Sequence, residues 1–280
     1  MGNRSIAANL GIYVYGGAAI ALGLIGLAWG DFATNWQRVE ADVPFRHVLA
    51  YIAAICEVSA GVVVLWRGSE RLGAWILTAL YSVFTLLWVP KIVAAPQIYD
   101  SWGNFFEEFS LVVGGLVLCA VLAPGGSLLS RKEALIARVY GVCAISFGMV
   151  HIVYFSGLPA WVPKWIPPGQ TFWAAATTVC FLLAAAAILS GIRAALAARL
   201  LTAMIVGFEL LVWAPKVVAA PRDHFAWSGN GINLVMAGAA WVVSDSISRS
   251  ARRKPEFENL VRRSAVLPEK GRERPVERTV

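Results

Sequence analysis

The residues able to do chemistry in this chain are few, and most stand inside long apolar stretches. Glu57 lies near the middle of one such stretch, flanked by Cys56 and Val58. A charge placed there costs about 2.5–3.5 kcal/mol on insertion scales, so the side chain must face protein and stay neutral or find a partner. That suits a proton or cation site, or an anchor for a polar group; its bland counterpart is a neutral acid bonded to the next helix. Glu209 and Lys216 are seven residues apart, about 10 Å along one helical face, a spacing that could bracket a ligand or pair through water. Lys91 and Lys216 each follow a proline, in Trp88-Val-Pro-Lys91 and Trp213-Ala-Pro-Lys216, where snorkelling to lipid headgroups competes with ligand binding. His151 is the third site. Its only companions are His47 and His224, so a bis-histidine haem, which needs two imidazoles at matched depth, is disfavoured against a lone hydrogen-bonding histidine. The candidate ligand-binding set is therefore Glu57, Trp88, Lys91, His151, Glu209, Trp213 and Lys216, with no catalytic and no metal residue.

Other chemistries find no pattern to rest on. Cys56, Cys119, Cys143 and Cys180 fall in four different apolar stretches with no C-x-x-C, which reads as small buried apolar residues. There is no serine nucleophile elbow, phosphate loop or H-E-x-x-H. Glu107 and Glu108 open an apolar stretch, where carboxylates favour the positive end of a helix dipole, and read as structural. The chain is thus expected not to be a stand-alone enzyme.

Composition says what must hold these residues. Of 280 residues 58% are apolar and only 15% charged, far from the usual soluble balance. The apolar residues form eight blocks, at about 9–30, 47–66, 72–92, 104–123, 137–157, 171–191, 195–214 and 230–246. Each is long enough to cross about 30 Å of hydrocarbon, and in lipid such blocks must be helices to satisfy their own amides. The first block is read as an uncleaved span rather than a signal peptide. The net charge of +7 does not point to nucleic acid, since no basic patch with interleaved aromatics occurs in a soluble region. Instead Arg67, Arg71, Arg131, Lys132, Arg138, Arg193 and Arg199 fill alternate connections, and ten more Lys or Arg follow from Arg249. The positive-inside rule then puts both termini in the cytoplasm of a multi-pass protein of the cell inner membrane. Nine of the twelve tryptophans fall at or near the opposite, outer ends.

The chain also echoes itself. Trp88, Pro90, Lys91, Val93, Ala94, Ala95 and Pro96 recur 125 positions later in Trp213–Pro221, and Tyr15-Gly16 and Gly23 recur as Tyr140-Gly141 and Gly148. This reads as two tandem copies of a four-span unit. Four is even, so both copies enter the membrane the same way, as parallel repeats related by a pseudo-two-fold along its normal. The expected architecture is all-α: eight transmembrane helices in two up-down four-helix bundles side by side. Residues 1–123 form the first copy, 124–136 a cytoplasmic linker, 137–247 the second copy and 248–280 a basic disordered cytoplasmic tail. The outer connections, Asp31–Arg46 and Gly157–Gly169, carry tryptophan and proline and are expected to cap their bundles in the headgroup layer.

Glu57-Val-Ser-Ala-Gly61, Arg71 opening the third span and Pro90 closing it resemble the DoxX-like membrane family. So do Gly148-Met-Val-His-Ile-Val-Tyr-Phe155, Val162-Pro-Lys-Trp-Ile-Pro167 and Arg193 of the second copy. The resemblance covers roughly residues 11–247; the second copy departs by lacking the glutamate. It implies a link to respiratory redox or quinone chemistry, and carries no agreed catalytic set to transfer. The leading expectation is an accessory membrane subunit associated with that chemistry, with a quinone as the cofactor to look for and a membrane or cytoplasmic redox protein as partner. The rivals are a small-solute permease or exporter, and a scaffold whose basic tail recruits a partner.

Overall fold

The structure is a computed structural model that describes residues 10–266, with side chains through Arg252. It is all-helical, with no strand among the described residues. The elements are α1 (Leu10–Trp29), α2 (Arg46–Leu65), α3 (Glu70–Leu87), α4 (Val89–Ala94), α5 (Tyr99–Val121), α6 (Leu128–Val153), α7 (Gln170–Ser190), α8 (Ala194–Phe208), α9 (Ala214–Ala219) and α10 (His224–Val266). A 3₁₀ turn at Leu158–Trp161 precedes α7, and a π-helical turn at Glu209–Trp213 joins α8 to α9. Taking α3 with α4 and α8 with α9, eight helices are long and apolar enough to cross a membrane.

Two boundaries differ from the sequence reading. Ser127 caps α6, accepting a bond from the Ser130 amide at 3.2 Å, so most of the linker at 124–136 is helix. Its Arg, Lys, Glu and Ala residues are good helix formers, which an apolarity threshold passes over. Further on, α10 continues to Val266, past residue 248 where a disordered tail is expected. The remainder of that tail, 267–280, lies outside the described residues.

Helix packing also departs from two separate bundles. The first helix of each half seats against the last helix of the other: α1 packs on α2 and α10, and α6 on α7 and α5. α5 and α10 touch each other at the centre and are the most enclosed, with 67% and 78% of their spans buried. Small residues permit this approach: a Cβ on Gly114 of α5 would collide with Ala239 of α10. Outside this core the other helices turn apolar side chains outward, such as Ile52 and Ile55 of α2, Val83 and Leu86 of α3, Val179 and Leu183 of α7, and Leu200 and Leu210 beside the π turn.

The two halves share specific bonds. Tyr15 Oη donates to the Leu111 carbonyl at 2.9 Å, and Tyr140 Oη to that of Met236 at 3.4 Å. Trp102 Nε1 donates to the Pro96 carbonyl and Trp227 Nε1 to that of Pro221, both at 3.0 Å. Trp173 Nε1 makes the same six-residue closure on Pro167 at 3.0 Å. A proline ends each preceding segment, and a tryptophan in the first turn of the next helix satisfies its carbonyl.

Candidate functional site

The connection Gly30–Phe45 positions the site. It does not lie flat over the first half. Phe32, Ala33, Trp36 and Gln37 are buried, fixed by the Ala33 amide donating to Gln37 Oε1 at 2.9 Å and the Thr34 amide to Ser228 Oγ of α10 at 3.0 Å. The consecutive residues Trp36 and Gln37 then point to different carboxylates. Trp36 Nε1 donates to Glu107 Oε2, and Gln37 Nε2 to Glu57 Oε1 at 2.6 Å. Trp36 stacks on Phe225 (centroids 5.5 Å apart, 25° between planes) and meets Trp213 edge-on at 5.7 Å.

Beside this junction lies a cavity of about 480 Å³, within the range of small-molecule sites. Its aromatic wall holds Trp36, Trp161, Trp173 and Trp213, and its polar wall Asn35, Asp100, Asn104 and Glu107. A smaller chamber of about 140 Å³ continues deeper, between Phe147, Phe181, Ile205 and Asn233. Trp36, Glu107, Val150, His151, Phe208 and Trp213 line both chambers and form the collar between them. His151 Nδ1 lies 3.3 Å from Thr178 Oγ1, and its ring meets Phe181 edge-on at 5.1 Å. The imidazole is thus held from one side with its remaining nitrogen uncommitted. Trp213 is seated because Gly229 has no side chain: a Cβ there would overlap the indole.

The seven candidates from the sequence do not form one site. His151 and Trp213 stand in the collar. Lys216 sits just behind the wall, its ammonium 3.1 Å from the Trp161 ring centroid and 5.4 Å from that of Trp213. Glu209 backs the deep chamber through Asn233, whose Nδ2 donates to it at 2.9 Å; Asn230 also donates to this carboxylate. Glu209 and Lys216 therefore have separate partners in the protein. The carboxylate is committed to two asparagines, the ammonium to two indoles, and the π turn between them alters the two-turn spacing assumed for a regular helix. Glu57, Trp88 and Lys91 belong to the first half, away from the cavity. Glu57 is buried on Gln37, Trp88 is buried with Nε1 donating to the Trp36 carbonyl at 2.9 Å, and Lys91 lies 5.2 Å from the Trp88 centroid.

The sequence reading passed over Trp36, Glu107, Asn104 and Trp161 as site residues. Glu107 was assigned to the helix dipole, yet it faces the cavity; the signal available was its neighbour Glu108, since two adjacent carboxylates on one helix cannot share a face. His47 bonds the Gly30 carbonyl at 2.9 Å and is not among the residues lining the cavity. Among the described residues no group of three His, Cys, Asp or Glu could hold a metal ion. Compared with protein-family models, curated proteins and solved structures, the chain finds no match. The site is accordingly interpreted through its own geometry.

Proposed function

We propose that this chain is a multi-pass membrane protein made of two parallel copies of a DoxX-like four-span unit, and that it serves as an accessory subunit in quinone chemistry by holding a flat ring in the tryptophan-lined cavity. Membrane residence is supported by the apolar side chains facing outward on α2, α3, α7 and α8. Duplication is supported by the bonds repeated at the 125-residue interval, and by a detail of register. Before the π turn, matched residues are 124 apart: Ala74 and Thr78 with Ala198 and Thr202, each threonine bonding its alanine carbonyl. After it, Trp88 and Trp213 are 125 apart. A single π turn accommodates one inserted residue, which accounts for the change. The positive-inside distribution of Arg and Lys puts the cavity end outside and both termini in the cytoplasm.

The observation that carries the functional reading is the cavity: aromatic faces together with hydrogen-bonding groups, of which Glu107 and His151 line both chambers. Rings stack on indole faces, while Glu107 and His151 are placed to meet ring oxygens. Titrating the purified protein with decylubiquinone and following tryptophan emission tests this. Saturable quenching is expected, with affinity weakened about tenfold in Trp213→Ala, equivalent to about 1.4 kcal/mol. Unsaturable quenching that Trp213→Ala leaves unchanged, with no quinone co-extracted from the protein, would reject the reading.

A further inference from the structure

The core of the first half holds buried polar groups of its own. Glu57 of α2 is 2% exposed and Glu108 of α5 fully buried. Glu57 has one donor, Gln37. Among the described residues neither carboxyl oxygen of Glu108 has a hydrogen-bond partner, and the hydroxyl of Tyr81 on α3, also fully buried, has none either. Tyr81 of α3 meets Tyr15 of α1 edge-on at 6.5 Å, and the Tyr15 hydroxyl bonds the Leu111 carbonyl, one turn from Glu108 on α5; α3 packs on both α5 and α2, which carries Glu57. α10 also packs on α5, but its Asn233, 125 positions after Glu108, bonds Glu209 in the second half. No ion pair among the described residues involves Glu57, Glu107 or Glu108.

An ionised carboxylate buried without a donor or a cation is untenable by several kcal/mol, and two in one core more so. A metal ion is not the answer, since the cluster lacks a third ligand of suitable type. The remaining cation is the proton. Adjacent residues give this core a link to the cavity. Glu107 and Glu108 lie side by side on α5, one facing the cavity and the other the first-half core. Trp36 and Gln37 lie side by side in the connection, one bonded to Glu107 and the other to Glu57. The second half has lost the acidic character at both places, with Asn233 for Glu108 and Phe181, 124 positions on, for Glu57.

We infer that Glu108, with Glu57 and Tyr81, forms an exchangeable proton-binding site in the core of the first half, adjoining the ligand cavity through Glu107. The site requires no quinone and stands or falls separately from that reading. It is tested on the full-length protein in lipid nanodiscs, without ligand, by infrared spectroscopy of the carboxyl C=O stretch at neutral pH. Wild type should show a band from a protonated carboxyl in a water-poor setting, and that band should shift promptly on transfer to D₂O. Glu108→Gln should remove it, and Glu57→Gln should move it without abolishing it. If Glu108→Gln does not fold, Glu108→Asp should still shift the band. A spectrum unchanged by substitution at Glu108 overturns the assignment. A band that resists D₂O over many hours also overturns it, because the carboxyl would then be a sealed structural group.

Discussion

Glu57 shows how a residue can be found without its environment. Its place in the middle of an apolar stretch singles it out, since an acid there must be accommodated by protein. Its partner Gln37 lies in a connection with no periodicity, 20 residues upstream, and no spacing rule links the two. Gln37→Ala should leave a buried carboxyl without its donor and destabilise the protein by about 1–3 kcal/mol, read as a lowered thermal unfolding midpoint in detergent. Lys91→Ala should leave that midpoint nearly unchanged, because among the described residues the half-buried Lys91 ammonium makes only a cation–π contact, 5.2 Å from the Trp88 centroid. Gly229 offers a sharper case. Any side chain there displaces Trp213, so Gly229→Ala should perturb the tryptophan emission of the folded protein and weaken decylubiquinone binding as Trp213→Ala does. Unaltered emission and affinity would show that the indole can move aside freely. The carboxylates at 107 and 108 read as helix-opening residues, yet α5 begins at Tyr99 and they stand in its third turn; that they serve opposite sides of α5 depends on which neighbours α5 acquires, and this is a tertiary fact.

At the scale of elements, apolar length alone locates all eight of the helices that are long and apolar enough to cross a membrane. Ends are less legible. Charged helix formers extend α6 and α10 beyond their apolar blocks, and hydropathy is blind to them. The π turn is a further instance. A run from Ala194 to Ala219 reads as one helix, and the inserted residue shows only when Thr78–Thr202 and Trp88–Trp213 are compared for register. Deleting Val212 should convert the π turn to regular α-helix while keeping residues on both sides in phase. The variant should fold with a near-native unfolding midpoint, whereas deleting Val206, in the regular part of α8, should rotate one flank out of register and destabilise strongly. Equal damage from the two deletions would remove the argument from register.

At the scale of the whole molecule, the halves exchange partners, so neither is complete alone: α1 closes on α10 and α6 on α5. The cavity follows from that exchange. Most of its aromatic lining comes from the second half, but Trp36 is delivered by a connection of the first, and Asp100, Asn104 and Glu107 by α5, also of the first. Two independent bundles, as the repeat alone suggests, would not place a first-half tryptophan against Trp213 and Phe225. On this account a polar proton-holding core and an aromatic ligand cavity have diverged from equivalent positions in two copies that cross the membrane in the same direction. The direct measurement is labelling of intact cells by a membrane-impermeant maleimide, using single cysteines at Gln97, Arg222 and Ser127 in a background lacking Cys56, Cys119, Cys143 and Cys180. The account predicts that Gln97→Cys and Arg222→Cys both react from outside and that Ser127→Cys reacts only after the cells are opened. Reaction at only one of the first two would contradict it.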